Sequence, residues 1–480
     1  MVEALLSKKG SKAYCIGIKG TGMCALVELL HNAGVQVSGS DVAEAFYTDY
    51  ILKAMHIPYF ESFAAEHIPA DVDVVIYSAA YSFETNPELA EAKRRNLPIL
   101  KYTDALGAYS AEFDSSGIAG VHGKTTTAAI AGTLIRAAKL PAQILAGSGV
   151  SVFRGHSTLT LGNKYFVAET CEYRRHFLAF HPRRIVLTGV EPDHQDYYPT
   201  YESIRDAFLE YGRKLPSGGE LIYCADNPGS LEVAETLRRE DRGVRFTPYG
   251  FTADGTFKVT SYRVEEERVI LEVAGFPGDL KLRIPGRHNA LNAAAALALT
   301  DSLMQAERQE WNPERRERVR WAMEDFKGSK RRSEILGEVD HILFMDDYAH
   351  HPTAIRVTLE ALKDFYPSRR LVVSFMAHTY SRTAAFLDDF AASFEKADIL
   401  FLHKIYASAR EVYTGSITGK DLFEKAKALR DKVYYAEEPL DAAATLKNMM
   451  RPGDLFLTMG AGDNWKLGKA LMERRGGTVS

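Results

Sequence analysis

The sequence has few cysteines and no long apolar run. None of its four cysteines falls in a Cys-x-x-Cys pair, and four cysteines in 480 residues are too few for a disulfide framework. We therefore expect reduced, mostly buried thiols. No stretch reaches the roughly 18 apolar residues that cross a bilayer, and the first residues lack the apolar segment of an export signal. We therefore expect a soluble, unexported protein of the cytoplasm that does not associate with a membrane.

An excess of charge of either sign is also lacking. Lysine and arginine total 59 against 63 aspartate and glutamate residues, which gives a net charge of −4. This balance favours neither nucleic acid nor an anionic membrane as a partner, so any anionic ligand must be held by local features. The 480 residues are 46% hydrophobic and 25% charged, which is ordinary for a globular protein. At roughly 150 residues per domain, this length predicts about three domains.

Strand-like and helix-like patterns alternate almost throughout and predict an α/β fold with mainly parallel sheets. A first Rossmann-like unit ends near Ser110, and the polar, basic segment Phe326–Arg332 marks a second boundary. An alternating pattern from Thr256 to Val273 predicts a local antiparallel insertion. The predicted domains are residues 1–110, 111–327 and 328–480. The predicted strands are Ala13–Ile18, Val35–Gly39, Val72–Tyr77, Ser116–Gly120, Tyr165–Glu169, Arg184–Thr188, Ile342–Met345, Leu371–Phe375, Ile399–Leu402 and Asp454–Thr458.

The strongest chemical signal is the sequence GVHGKTTT at residues 120–127, between a predicted strand and a predicted helix. Glycines let backbone N–H groups surround phosphate oxygens, and the helix N-terminus adds partial positive charge. The lysine of such a loop reaches the β- and γ-phosphates, and the next hydroxyl binds Mg²⁺. The pattern is the tighter GxxGKTT, since Ile118 stands where GxxxxGK[ST] has its first glycine; a glycine turn that merely caps a helix is the alternative. The predicted ATP contacts are Gly120, Val121, His122, Gly123, Lys124, Thr125 and Thr126.

A second glycine turn, Gly17-x-x-Gly20-x-Gly22, joins the first predicted strand to the first predicted helix, Gly22–Ala33. Asp41 follows the second strand, where a carboxylate can bind a ribose. The order GxxGxG differs from the GxGxxG of dinucleotide sites, so a UDP-sugar satisfies the pattern as well as NAD does, and a purely structural turn remains open. The candidate ligand contacts at this turn are Gly17, Gly20, Thr21, Gly22, Asp41 and Ser78, and the family resemblance described below implies that the ligand is a UDP-sugar.

Two further residues are candidate metal ligands. Glu169 ends a predicted strand that follows the phosphate loop, a position suited to Mg²⁺. His194 lies between the carboxylates of Asp193 and Asp196 and follows another strand. A lone histidine or glutamate is as easily a packed or solvated loop residue, so the two gain weight only together. The predicted metal site combines Thr125, Glu169 and His194.

Several blocks in the same order resemble the Mur ligases, which build the peptide of the bacterial cell wall. They extend from near Ala13 to near Leu467, so the resemblance covers almost the whole chain, and their order is more specific than any one of them. The blocks are Gly17–Met23, Val37–Asp41, Gly120–Thr126, Asp193–Asp196, Pro285–Asn292, Asp346–Thr353, His378–Thr383 and Gly460–Lys466.

This resemblance implies a Rossmann-like N-terminal domain for UDP-muramate, a central P-loop ATPase domain that includes the helix His288–Leu303, and a C-terminal Rossmann-like ligase domain. It is strongest to the branch that joins L-alanine to the lactyl carboxylate of UDP-N-acetylmuramate through an acyl phosphate. The resemblance implies ATP and Mg²⁺ as cofactors, and we expect a monomer or homodimer. By position, Asn289 and Asn292 would approach adenosine, and Arg331 (or Arg332) and Asp347 would contact the nucleotide or the reacting groups. The implied catalytic residues are Lys124, His194, His350 and Arg382.

The sequence also departs from this family. Lys19 stands where the family usually has glycine, Ala354 replaces a glutamate, and the segment after Glu169 reads TCEYR rather than ADESD. The stretch Ile204–Phe208 offers no lysine for the carbamate of other branches, so we expect none. Three alternatives remain: a ligase that recycles a whole tripeptide onto UDP-N-acetylmuramate, an NAD-dependent oxidoreductase, and a P-loop NTPase acting as a switch.

Overall fold

The computed structural model describes residues 8–44, 48–195, 197–407 and 417–476, with the single residues 6, 46 and 415. Asp196 of the metal hypothesis therefore lies outside the described residues. The chain divides into two compact units, the first comprising residues 1–190, 205–249 and 295–315 and the second residues 191–204, 250–294 and 316–480. No helix in the described ranges is long and apolar enough to cross a membrane.

The first unit begins with a parallel sheet of the order β3-β2-β1-β4-β5. Strand β1 is buried from Ala13 to Ile16 and pairs with a strand on each side, so it forms the centre of the sheet. The elements are β1 (Lys12–Ile16), α1 (Thr21–Asn32), β2 (Gln36–Ser40), α2 (Thr48–Ala54), β3 (Tyr59–Phe60), β4 (Val74–Tyr77), α3 (Pro87–Arg94), β5 (Ile99–Lys101) and α4 (Tyr102–Ala111).

A second sheet follows, with strands in the order β12-β11-β10-β6-β9-β7-β8, all parallel to their neighbours except β8. Its central strands β6, β9 and β10 are almost wholly buried, as expected for a parallel sheet covered on both faces. The elements are β6 (Asp114–Ala119), α5 (Lys124–Ala138), β7 (Ala142–Leu145), β8 (Thr158–Thr160), β9 (Tyr165–Glu169), β10 (Arg184–Leu187), α6 (Tyr201–Gly212), β11 (Glu220–Cys224), α7 (Pro228–Arg239) and β12 (Arg245–Gly250).

An antiparallel meander and a third sheet supply the strands that follow. The meander is β13 (Phe257–Glu265), β14 (Arg268–Val273) and β15 (Phe276–Leu282), and it precedes α8 (Arg287–Ala306) and α9 (Pro313–Asp325). The third sheet has the order β16-β17-β21-β18-β19-β20, parallel except for β16. Its elements are β16 (Glu334–Val339), β17 (Ile342–Asp347), α10 (Pro352–Phe365), β18 (Arg370–Met376), α11 (Tyr380–Ala385), α12 (Leu387–Ser393), β19 (Ile399–Leu402), α13 (Gly419–Leu429), β20 (Val433–Tyr435), α14 (Ala443–Met449), β21 (Asp454–Gly460) and α15 (Trp465–Glu473).

The predicted α/β class, the predicted strands and the antiparallel insertion are confirmed, with boundaries that differ by a few residues. Strand β1 ends at Ile16 rather than at the predicted Ile18, because Gly17 has a φ of +83° and starts the turn. Eight strands outside the insertion were not predicted: β3, β5, β7, β8, β11, β12, β16 and β20. The edge strands β3 and β20 have only two and three residues, which is too short to show a periodicity. The insertion continues past Val273 into β15, whose Pro277 and Gly278 hide the strand pattern.

Candidate active site

The phosphate loop lies between the end of β6 and the start of α5, as predicted. Gly120 and Gly123 have φ values of +136° and +83°, which favour glycine. A Cβ on Gly120 would lie 2.1 Å from Oγ1 of Thr188, so a side chain does not fit there. No side chain caps the N-terminus of α5, and the first N–H groups of a helix have no acceptor within the helix itself. Such a turn suits the oxygen atoms of a polyphosphate.

Lys124 is held in this loop by a carboxylate that the sequence did not single out. Its Nζ lies 2.9 Å from Oε2 of Glu172 and donates a hydrogen bond to the carbonyl oxygen of Gly120 at 2.5 Å. Burial acts to lower the pKa of Lys124, but the carboxylates of Glu172 and Glu169 outweigh it and raise the pKa above its usual value. The lysine is therefore a fixed positive charge at the loop.

Thr125 and Glu169 meet as the metal hypothesis requires. The Thr125 hydroxyl donates to Oε2 of Glu169 at 2.7 Å. No group of three or more His, Cys, Asp or Glu side chains that would enclose a metal occurs among the residues described. One hydroxyl and one carboxylate beside a phosphate loop still suit Mg²⁺, which keeps several waters and takes further ligands from phosphates. His194 belongs to the second unit, so its part in this site stays a prediction.

Gly147, in the turn after β7, lies so close to Thr125 and Glu169 that a side chain at this position would collide with both. A Cβ built there would lie 2.2 Å from Oε2 of Glu169 and 2.8 Å from Oγ1 of Thr125. We expect Gly147→Ala to lower ATP turnover about tenfold or more and to raise the Mg²⁺ concentration for half-maximal activity, because displacing the Glu169 carboxylate or the Thr125 hydroxyl would misplace the ion. The measurement is ATP turnover against Mg²⁺ concentration. Gly468→Ala, which adds a methyl group in helix α15, is the control, and an unchanged Mg²⁺ requirement in Gly147→Ala would contradict the assignment.

The glycine turn of the first sheet brings most of the predicted sugar-nucleotide residues together. A Cβ on Gly17 would lie 2.8 Å from Cβ of Ser78, and one on Gly22 would lie 2.9 Å from Cζ of Tyr102. Thr21 begins α1, and Gly20 immediately precedes it. The turn therefore opens α1 at the carboxyl ends of β1 and β4, where α/β sheets bind phosphorylated ligands.

Asp41 lies beside this turn, but its carboxylate is engaged within the protein. Oδ2 accepts the backbone N–H of Lys19 at 2.7 Å, and Oδ1 accepts the N–H of Val42 at 2.8 Å and the hydroxyl of Tyr81 at 3.0 Å. The side chain is 4% exposed. These bonds hold the turn in place, and a contact between Asp41 and a ribose stays a prediction.

In the second unit, Arg382 and Asp193 form a buried ion pair. Nη2 and Nε of Arg382 lie 2.7 and 3.1 Å from Oδ1 of Asp193, and each residue is 4% exposed. Burial acts to raise the pKa of Asp193, but Arg382 and the neighbouring His194 outweigh it and hold the pKa well below its usual range. The His194 ring is 3.8 Å from the other carboxylate oxygen, on a residue with a φ of +55°. The sequence analysis placed Arg382 and Asp193 in separate motifs and did not pair them.

His350 and His378 lie around this ion pair. Nη1 of Arg382 is 3.3 Å from Nδ1 of His378, and the rings of His350 and His378 have centroids 5.2 Å apart. Burial, together with the charge of Arg382 and with His378, lowers the pKa of His350. Its Nδ1 lies 2.7 Å from the carbonyl oxygen of Tyr348, which can only accept, so Nδ1 carries the proton. Nε2 of the neutral ring is then the nitrogen with a free electron pair.

The remaining predicted residues are ordered by bonds within the second unit. Asn289 donates to the carbonyl oxygen of Pro285 at 2.7 Å and accepts from Asn292 at 3.0 Å. Arg331 donates to Oδ2 of Asp346 at 2.9 Å. Asp347 is buried and accepts the backbone N–H groups of Ser333 and Ala349. Contacts of these side chains with a nucleotide stay predictions.

Three parallel-rich sheets, a lysine-bearing phosphate loop and a buried arginine–carboxylate pair define a nucleotide-dependent α/β enzyme of more than one domain. Comparison with known families gives three matches: the Mur ligase family catalytic domain at residues 12–114, the Mur ligase middle domain at 118–300, and the Mur ligase glutamate ligase domain at 331–462. The chain belongs to the Mur ligase family.

Individual relatives agree over nearly the full length. The UDP-N-acetylmuramate–L-alanine ligase of Treponema pallidum (strain Nichols) is 50% identical over 462 residues, which cover 96% of each chain. The same enzyme of Borreliella afzelii is 36% identical over 95% of this chain and 97% of its own. The solved UDP-N-acetylmuramate–alanine ligase of Thermotoga maritima has 25% identity and a TM-score of 0.78, covering 96% of this chain and 98% of its own. A murein peptide ligase of Psychrobacter arcticus shares the fold, with a TM-score of 0.66, 22% identity and coverage of 98% and 100%.

Proposed function

We propose that this protein joins L-alanine to the lactyl carboxylate of UDP-N-acetylmuramate in the cytoplasm, with ATP and Mg²⁺, as an early step of peptidoglycan precursor synthesis. The observation that carries the proposal is 50% identity over 96% of the chain to a ligase of that name, in a chain that also holds a formed phosphate loop. An NAD-dependent oxidoreductase would leave the Lys124–Glu172 and Thr125–Glu169 pairs without a purpose.

We assign one role in the reaction to each of the three domains predicted from the sequence. Residues 1–110 bind UDP-N-acetylmuramate through the turn at Gly17–Gly22. Residues 111–327 bind ATP through the phosphate loop, with Asn289 and Asn292 near the adenosine. Residues 328–480 supply Arg331, Asp347, His350 and Arg382 to the reacting groups.

A free carboxylate is a poor acyl donor, because its negative charge repels a nucleophile and its oxygen is a poor leaving group. The lactyl carboxylate must therefore be activated first. Transfer of the γ-phosphoryl group of ATP to the lactyl carboxylate gives an acyl phosphate and ADP. The amine of L-alanine then attacks the acyl carbon, and inorganic phosphate leaves as the amide forms. Two anions have to meet in the first step, so the fixed charge of Lys124 lowers its barrier.

Mg²⁺, held by Thr125 and Glu169, would supply charge neutralisation between the phosphate groups. Arg382, fixed by two hydrogen bonds to Asp193, presents its remaining N–H groups to the anionic oxygens of the acyl phosphate. His350 is kept neutral by burial, so its Nε2 can take the proton that the attacking amine loses. Each of these roles belongs to the proposal.

The proposed function is tested by phosphate release from ATP with Mg²⁺ and UDP-N-acetylmuramate, with and without single amino acids. We expect release that requires both the muramate nucleotide and L-alanine. Release with L-alanyl-γ-D-glutamyl-diaminopimelate but not with L-alanine would instead indicate the recycling reaction. No stimulation by any muramate nucleotide would refute the proposal.

A further inference from the structure

Lys19 has a completely buried side chain inside the glycine turn, at a place where a cation would ordinarily be expected to bind phosphate. Its Nζ donates to the carbonyl oxygens of Val42 and Glu44 at 3.0 and 3.1 Å and to Oε1 of Glu61 at 2.9 Å. It also lies 3.2 Å from Oδ1 of Asp49. An ammonium group has three protons, and these acceptors use all of them. Lys19 therefore has no donor left for a diphosphate.

The backbone N–H and carbonyl groups of Lys19 also bind residues between β2 and the start of α2. Its N–H donates to Oδ2 of Asp41 at 2.7 Å, and its carbonyl oxygen accepts the hydroxyl of Thr48, the first residue of α2. One residue of the β1–α1 turn thus holds the start and the end of the connection between β2 and α2. The two carboxylates facing Nζ, Asp49 and Glu61, neutralise its charge inside the protein.

We propose that Lys19 is a positioning residue that holds residues 41–44, which follow β2, in the conformation that receives the nucleoside half of the sugar nucleotide. The inference rests on the proposed function. In open α/β sheets the helix after the first strand receives the diphosphate, and the residues that follow the second strand contact the ribose. The residues that Lys19 binds, Val42 and Glu44, follow β2 directly.

The consequence is a specific effect on one substrate. Without the Lys19 side chain, residues 41–44 sample other conformations. The apparent affinity for UDP-N-acetylmuramate then falls in proportion to the fraction of molecules that keep the binding-competent conformation. ATP binds elsewhere in the chain, and the chemical step does not involve the connection. The KM for UDP-N-acetylmuramate should therefore rise while the KM for ATP and kcat change little.

The test compares Lys19→Met, Lys19→Arg and Thr48→Val with the wild type, using steady-state kinetics for all three substrates. We expect Lys19→Met to raise the KM for UDP-N-acetylmuramate about tenfold or more, with the KM for ATP and kcat within about twofold. Lys19→Arg should restore part of the loss, because arginine can donate to the same acceptors. Thr48→Val keeps the volume and removes one hydrogen bond, so it gives a smaller shift in the same direction and serves if Lys19→Met does not fold. Lys53→Met, on the exposed face of α2, is the matched control and should behave as the wild type.

Two results would overturn the inference while leaving the proposed function intact. One is a wild-type KM for UDP-N-acetylmuramate in both Lys19→Met and Thr48→Val. The other is an equal fall in kcat/KM for ATP and for UDP-N-acetylmuramate, in proportion to the unfolded fraction. That result would mean that Lys19 only stabilises the fold. A wild type that shows no response to UDP-N-acetylmuramate would refute the function itself, and the inference with it.

Discussion

Replacing Lys124 with alanine should reduce the phosphate release that depends on UDP-N-acetylmuramate and L-alanine by about 10³-fold or more. The ammonium group is the fixed cation of the phosphate loop, held against Glu172 at 2.9 Å and against the carbonyl oxygen of Gly120. Its loss leaves the charge of the transferred phosphoryl group without this compensating cation. The measurement is kcat/KM for ATP at saturating concentrations of the other two substrates.

The same substitution should also destabilise the fold, and a second substitution separates the two effects. The Glu172 side chain is 3% exposed, so Lys124→Ala leaves a buried carboxylate without its cation, at a cost of roughly 3–5 kcal/mol. In Lys124→Ala/Glu172→Gln the carboxylate charge that Lys124 balances is removed together with the lysine, so we expect the melting temperature to recover while activity stays lost. Recovery of ligation in the double variant would show that Lys124 serves only to neutralise Glu172.

The phosphate loop was predictable because its signal is local. Glycines, a lysine and a threonine stand next to one another between a strand and a helix, and the structure places them there. Glu172 was not predictable in the same way. It precedes Arg174 and Arg175, which have φ values of +51° and +60°, and an irregular backbone of this kind leaves no periodic pattern in the sequence.

Contacts between residues far apart in the chain could not be predicted from the sequence either. Arg382 and Asp193 lie in separate motifs, 189 residues apart, and only the folded chain shows that they share an ion pair. Asp41 illustrates a related limit: its position after β2 predicts a ribose contact, and in the structure it lies beside the glycine turn. The pattern could not show that both carboxylate oxygens are occupied by Lys19, Val42 and Tyr81. Position follows from topology, whereas hydrogen-bond partners depend on side chains from distant segments.

Breaking the Arg382–Asp193 pair should give the second large effect. We expect Asp193→Asn to lower kcat about 10²-fold, because Arg382 loses the carboxylate that fixes its guanidinium group. We also expect the free energy of unfolding at pH 7 to fall by about 3 kcal/mol, because a buried cation loses its counter-charge. The measurements are kcat for ligation and urea unfolding followed by intrinsic fluorescence.

The pH dependence of stability tests the same pair independently. Arg382 holds the pKa of Asp193 below its usual range in the folded protein, whereas the unfolded chain has an aspartate pKa near about 3.9. The carboxylate therefore contributes stability that is fully present above that value and is lost as the pH falls through the lower folded pKa. The stability difference between the wild type and Asp193→Asn should be constant from about pH 5 to pH 7 and shrink below about pH 4. A difference that grows towards low pH would contradict this account.

Asp454→Asn is the matched control for these measurements. Asp454 is also buried, at the start of β21, and Arg370 binds it through two hydrogen bonds of 2.7 and 2.8 Å. The pair has the same chemistry but lies at the amino end of its strand, away from His350 and His378, which follow the carboxyl ends of β17 and β18. Asp454→Asn should therefore lower stability and leave kcat within about twofold of the wild type. An equal loss of kcat in both variants would mean that Asp193 acts on ligation only through the stability of the fold.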